Sequence, residues 1–202
     1  MQDAVKQIAD WLGTGSLNIF GVPFSGKDTQ GQAMAKLLHA QFLSSGHILR
    51  ESQKVASSIN QGNLAPTKDF YDIVLPQFSK AEYAGKPLIL SSIGRWHGEE
   101  EMVMSALEQA SHQLKAVIFL DIPDSEIITR YNQSIKLNDR GDRKDDTQDV
   151  IQKRIDEFNQ KTRPVIDFYK SKGLLITIDG TADRNRVTED IINKLLALAE
   201  GS

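Results

Sequence analysis

The sequence predicts an α/β fold, a three-layer αβα sandwich in which helices cover both faces of a five-stranded parallel sheet. Three features point there. Short unbroken apolar runs, such as Ala116-Val117-Ile118-Phe119-Leu120, suit strands buried on both faces. Segments with apolar residues at helical spacing alternate with those runs, which is the pattern of βαβ units. A glycine-bracketed loop, Gly21 to Gly26, joins the first apolar run to a helical segment.

Each element follows from local pattern. Ala4, Val5, Ile8, Ala9, Trp11 and Leu12 recur at helical spacing and predict an amphipathic helix ahead of the first strand, ended by Gly13 to Ser16. Leu17-Asn18-Ile19-Phe20 is the first strand. The next helix is expected from Lys27 to about Ala40, burying Ala33, Leu37 and Leu38, and Gln41 to Leu43 reads as a short second strand. Pro87 to Leu90, Ala116 to Leu120 and Leu174 to Ile178 supply the others. Helices are expected over Gly98 to His112, Asp124 to Ser134, Thr147 to Gln160 and Val187 to Ala199. Pro164 is expected to begin a fresh helical segment after Thr162, and Gly173 to stop it.

Bulk composition narrows the function classes. With 202 residues, 40% hydrophobic and 25% charged, the chain can bury one substantial core, and a single domain over 1–202 is expected. Zero cysteines exclude disulfides, thiolate zinc sites and a cysteine nucleophile. No basic-then-apolar leader pattern opens the chain, and no apolar run approaches the ~18 residues a membrane-spanning helix needs, so a cytoplasmic protein is expected. A net charge of −3 argues against a broad nucleic-acid footprint. Phosphate ligands must instead be met by locally placed cations.

The loop Gly21-Val22-Pro23-Phe24-Ser25-Gly26-Lys27-Asp28-Thr29 reads as a phosphate cradle. Its amides can wrap phosphate oxygens while the following helix presents the positive end of its dipole, and Lys27 adds a full charge. Thr29 supplies a hydroxyl of the kind that binds Mg²⁺, one residue later than the strict G-x-x-x-x-G-K-[ST] pattern. The alternative is a glycine-rich strand-to-helix turn with no ligand. Together with Pro23, that offset resembles the G-x-P-G-x-G-K-G-T-Q loop of adenylate kinases and related nucleoside monophosphate kinases. Phe24 and Asp28 stand where that family usually has glycine.

Further motifs carry the resemblance along most of the chain. Ser44-Ser45-Gly46-His47-Ile48-Leu49-Arg50 is similar to the family's S-T-G-D-M-L-R segment, and Gly62-Asn63-Leu64-Ala65-Pro66 to its G-x-L-V-P/S segment. Ser91-Ser92-Ile93-Gly94-Arg95 follows a strand where the family carries D-G-F/Y-P-R, so only the arginine survives. Glu99 falls four residues later, where adenine-reading members have glutamine; a short local deletion would put His97 there instead. Glu99 also fits a plain first-turn helix acid. Arg143-Lys144-Asp145-Asp146 with Arg154 resembles R-x-D-D-x-x-E-x-x-x-x-R, with Asp149 at the glutamate position. Eleven residues separate the two arginines, close to three helical turns, so both can project from one side. The similarity continues through Arg163-Pro164, Phe168-Tyr169, Gly173 and Asp179-Gly180-Thr181.

The resemblance implies a P-loop kinase fold and transfer of the ATP γ-phosphoryl group to a nucleoside monophosphate, AMP first, with Mg²⁺ as cofactor. GMP, UMP or CMP, or a degenerate binding protein without turnover, remain the alternatives. It implies that Lys27, Arg143 and Arg154 act on the transferred group. Gly21, Pro23, Phe24, Ser25, Gly26, Lys27, Asp28, Thr29, Arg130 and Thr181 would hold ATP, with Thr29 on the metal. Ser45, Arg50, Leu64, Arg95 and Glu99 would hold the acceptor; Arg50 taken singly also fits a surface helix position. An acceptor lobe is implied over 44–80 and a short lid over 131–142, with the helix in 1–16 outside the resemblance. The family's next lid arginine falls at Ser134; Lys136 or Arg140 can substitute, and each also fits a plain loop charge. With Ser91 in place of the usual aspartate, metal handling leans on Asp28 or Asp121, the latter also a plausible turn cap. Small-molecule nucleotides are the expected partners, with no nucleic acid or membrane, and a monomer is expected.

Overall fold

The computed structural model describes residues 2–137 and 147–201. Helix α1 (Gln2–Leu12) leads into strand β1 (Ser16–Gly21), which the phosphate-type loop connects to α2 (Lys27–Leu37). Strand β2 (Gln41–Ser44) passes directly into three short helices, α3 (Ser45–Glu51), α4 (Ala56–Asn60) and α5 (Thr67–Ile73). Two 3₁₀ turns, Leu75–Ser79 and Ala81–Tyr83, return the chain to β3 (Leu88–Ser91). Then come α6 (Glu100–Gln109), β4 (Leu114–Asp121), α7 (Asp124–Leu137), α8 (Gln148–Glu157), α9 (Arg163–Ser171), β5 (Leu175–Asp179) and α10 (Arg184–Glu200).

All pairings are parallel, in the order β2-β3-β1-β4-β5. β1 is the pivot: the chain leaves it to one side for β2 and β3 and crosses back for β4 and β5. Such a reversal opens a crevice beyond the carboxyl ends of the strands, where ligands collect in open α/β sheets. Alternation along each strand builds two cores. Leu17, Ile19, Ile89, Ala116, Ile118, Ile176 and Ile178 pack under α1, α2 and α10, whereas Phe20, Leu88, Leu90, Val117 and Phe119 face α6, α8 and α9. A register shift beside Ser16 absorbs one extra residue, since Ser16 pairs Leu114 and Leu17 pairs Ala116.

Two local expectations are corrected and one is met. α2 stops at Leu37, where His39 turns into the left-handed region at φ 52°, and it buries Met34 and Ala35 with Leu38 rather than Ala33 and Leu37. Pro164 stands in the first turn of α9, which opens directly after Thr162, as the sequence predicts. α8 runs into α9 through one π turn, Phe158–Thr162, closed by Arg163 N–H to Phe158 O. Widening the turn there accommodates a proline ring and its missing N–H without breaking the rod. α7 also extends to Leu137, so residues 131–137 of the expected lid are its last turns.

Candidate active site

The loop after β1 is shaped by close approach and left-handed backbone. A Cβ on Gly21 would collide with Ser25 Oγ, and Gly26 sits at φ 86° to open α2. Phe24 adopts φ 62°, a region that costs a residue with a side chain about 1–2 kcal/mol. The Phe24 ring meets Tyr131 edge-on at 5.7 Å, and Arg130 donates to the Phe24 carbonyl at 3.3 Å. Ser25 Oγ is buried and without a hydrogen-bond partner. Buried hydroxyls are rarely left so, and this one belongs to the loop between β1 and α2. Lys27 Nζ reaches back over the loop to Val22 O at 3.4 Å.

Two cavities flank this loop. The first, on the side of α3 to α5, is lined by Pro23, Ser45, Arg50, Leu64, Arg95, Glu99 and Arg154 among others. The second, toward β5 and α10, is lined by Ser25, Gly26, Thr29, Arg130, Gly180 and Ala182 among others. Phe24, Lys27 and Asp28 line both. The expected acceptor residues therefore gather in one cavity together with Arg154. Of the expected donor residues, Phe24, Ser25, Gly26, Lys27, Asp28, Thr29 and Arg130 line the other, whereas Pro23 lines the first, Gly21 lines neither, and Thr181 has its hydroxyl and amide turned onto Asp179 Oδ1. Arg143 and Arg140 lie outside the described residues.

Charge in the first cavity is arranged for an anion. Burial and the neighbouring Arg154 charge pull the Arg95 pKa down to about 10, with Glu157 and Asp28 opposing. Arg95 keeps partial access to the cavity, yet its Nε is enclosed with no partner. Two like charges held together with an unsatisfied donor are stabilised by a phosphate placed between them. Arg50 is half-buried at the end of α3, close over Gly46.

Glu99 is 1% exposed, and its Oε2 accepts from the backbone amides of Arg95 at 2.9 Å and Trp96 at 3.1 Å. It anchors the loop that carries Arg95. Burial raises its pKa, and the nearby Glu100 charge adds to this, while those amides and the Thr67 hydroxyl oppose it. Ser45 is likewise engaged, donating to Ser92 O at 2.7 Å. Arg130 joins the two ends of the second cavity: it pairs Glu126 at 2.7 Å and donates to Gly180 O at 2.7 Å. Ser134 donates to Tyr131 O and Lys136 is exposed on α7.

Sequence reasoning passed over three supporting residues. Asn18 Nδ2 donates to Ile93 O at 2.8 Å while Ile93 N–H donates to Asn18 Oδ1 at 3.2 Å, extending the β1–β3 pairing into the Arg95 loop. Its signal was a lone amide in an apolar run. Trp96 Nε1 donates to Ala65 O at 2.9 Å and its ring carries Lys161 Nζ at 4.1 Å, linking the segment after β2 to α8 and α9. Gln30 joins α2 to α10 through Arg184 O at 2.9 Å and the Thr188 hydroxyl at 2.8 Å.

The polar groups near the loop also bear on a metal. Thr29, Asp28 and Ser91 offer hydroxyl and carboxylate oxygens, and Ser91 Oγ donates to Asp28 Oδ1 at 2.5 Å. Among the described residues no three His, Asp or Glu side chains cluster as a dedicated cage. Few carboxylates beside a phosphate loop suit Mg²⁺, which keeps several waters and binds largely through substrate phosphates. Asp121 lies exposed at the end of β4, where its carbonyl accepts from Gly180 N–H, and it lines neither cavity. No helix among the described residues is long and apolar enough to cross a membrane.

Comparison with known proteins agrees with this geometry. The adenylate kinase family model matches residues 19–174. The chain is 29% identical over 188 residues to an adenylate kinase of Micrococcus luteus, covering 89% of this chain and 90% of that protein. It is 31% identical over 183 residues to adenylate kinase 1 of Nostoc sp., covering 87% and 95%. An adenylate kinase of the archaeon Methanococcoides burtonii matches at 28% over 209 aligned positions, covering 88% and 96%. Together with the all-parallel sheet and the glycine-bracketed loop after β1, these matches show that the chain belongs to the adenylate kinase family and is a phosphotransferase of the nucleoside monophosphate kinase class.

Proposed function

We propose that this protein transfers the γ-phosphoryl group of ATP to AMP, reversibly and without a covalent intermediate. One observation carries the reading: Lys27 lines both cavities, and the first of them also presents Arg50, Arg95 and Arg154. Cations thus converge where two anionic substrates would meet. Phosphoryl transfer asks for little else, because charge spreads over the equatorial oxygens of the moving group and positioning supplies most of the catalysis.

In this reading the donor phosphates lie along the Gly21–Gly26 loop, where the Ser25 hydroxyl and the α2 amides donate to their oxygens. Lys27 follows the transferred group. Arg95 and Arg50 grip the acceptor phosphate, Arg154 with Arg143 neutralises the transition state, and Arg130 faces the donor base. Thr29 would hold Mg²⁺, which when bound offsets charge on the donor phosphates. The acceptor base lies toward Leu64 and Glu99. AMP is favoured by the relatives, each described as an adenylate kinase. A net charge of −3 supports free nucleotides rather than nucleic acid as partners, and we take the protein to be a cytoplasmic monomer with a short lid.

A panel of nucleoside monophosphates assayed with MgATP tests the proposal. AMP should be the preferred acceptor, and Lys27→Met should lower turnover by about 10²-fold or more without unfolding the protein. Turnover with GMP, UMP or CMP alone would replace the acceptor, and ATP binding without transfer to any of them would refute the kinase reading.

A further inference from the structure

Among the described residues, Phe24, Lys27 and Asp28 line both cavities, and Asp28 is the one that brings a negative charge. A carboxylate on the path between two phosphate pockets needs positive charge around it; Arg95 supplies part of that, and a divalent cation arriving with ATP would supply more. Its placement is fixed from a second element. Ser91, 1% exposed at the carboxyl end of β3, donates to Asp28 Oδ1 at 2.5 Å, so the carboxylate of α2 is held against the strand edge. Ser91 itself lines the first cavity.

We propose that Asp28 is the carboxylate that positions the divalent cation accompanying ATP, through water in the cation's shell, and that Ser91 sets its orientation. The inference rests on the assignment of the two cavities to donor and acceptor given above. Mg²⁺ dehydrates reluctantly and is held through one or two carboxylates plus substrate phosphates, so a single well-anchored carboxylate is enough. The same geometry makes the arrangement exchangeable. Because the Ser91 and Asp28 oxygens stand 2.5 Å apart, a carboxylate carried by position 91 would reach the same point.

The test reads metal dependence separately from turnover. ATP affinity is measured by calorimetry with and without Mg²⁺ for the unmutated protein, Asp28→Asn, Ser91→Ala, Asp28→Gly and the double variant Asp28→Gly/Ser91→Asp. Asp28→Asn should reduce the Mg²⁺ enhancement of ATP affinity by about tenfold or more while leaving metal-free ATP binding no weaker. Ser91→Ala should produce a smaller loss of the same enhancement, and the double variant should recover most of what Asp28→Gly loses. Full Mg²⁺ enhancement in Asp28→Asn overturns the assignment. So does a double variant no better than Asp28→Gly, and if Asp28→Asn fails to fold, an undiminished enhancement in Ser91→Ala does the same. If the unmutated protein transfers phosphate to AMP while its variants keep the metal effect, this inference alone fails. Failure of the unmutated protein to bind ATP at all would instead remove the nucleotide reading beneath it.

Discussion

Phe24 holds a left-handed backbone that its side chain opposes, at the junction of both cavities, and two substitutions separate what the backbone and the ring each contribute. Phe24→Ala removes the ring but keeps the strain of φ 62°. Phe24→Gly removes both. Left-handed backbone costs a non-glycine residue about 1–2 kcal/mol, and glycine's extra chain entropy returns about 0.5–1 of that, so the glycine variant should exceed the alanine variant by roughly 0.5–1 kcal/mol. The ring itself is half-buried and meets Tyr131 edge-on at 5.7 Å. Half of the usual cost of removing a buried phenylalanine is about 2 kcal/mol, which places Phe24→Ala about 2 below the unmutated protein and Phe24→Gly between them. Urea unfolding at constant m value measures all three, and a thermal scan should show the alanine-to-glycine gap as roughly 2–3 °C. An alanine variant as stable as the glycine variant, or more so, would refute the argument that strain is stored at this turn.

Three further outcomes are expected. Arg95→Met should weaken AMP binding about 10- to 100-fold with ATP binding unchanged, and raise the melting temperature because a desolvated charge beside Arg154 is gone; unchanged AMP affinity would detach Arg95 from the acceptor phosphate. Asn18→Leu should cost about 2–4 kcal/mol in urea unfolding, since two backbone groups of Ile93 lose their partner at about 1–3 each and leucine's apolar transfer offsets part. Its AMP affinity should fall with ATP affinity kept. For Glu99, whose pKa is raised by burial, the folded state holds the proton more tightly than the unfolded chain. That contribution to stability is therefore full below the ordinary glutamate range, about 4.3, and is lost as pH rises through the folded value. Glu99→Gln should flatten that decline in melting temperature between acid and neutral pH; an unaltered slope would show that another group sets it.

The phosphate loop and the strands were legible because their causes are local. Gly21 and Gly26 mark a close approach and a left-handed turn, and unbroken apolar runs mark strands covered on both faces. Arg50, Arg95 and Arg154 could be placed in one site because their motifs recur in a fixed order, and the structure does bring them to one cavity. Thr181 was harder to judge, since its hydroxyl turns onto Asp179 two residues away, a choice between two short-range partners that the motif does not encode. The helices between β2 and β3 were also unread, because α4 and α5 are five and seven residues long and too short to show a period.

Read alone, the chain determined its five strands, its longer helices, the family it resembles and the cations available for phosphate, because each is carried by short stretches of neighbouring residues. Tertiary structure decided which of those groups meet. It set Ser91 against Asp28 across 63 positions of sequence, Asn18 against Ile93 across 75, and Arg130 against Phe24 across 106. Such pairings arise from the parallel order of strands that are distant along the chain, and a hydrogen bond between residues so far apart leaves no period or spacing from which it could be read.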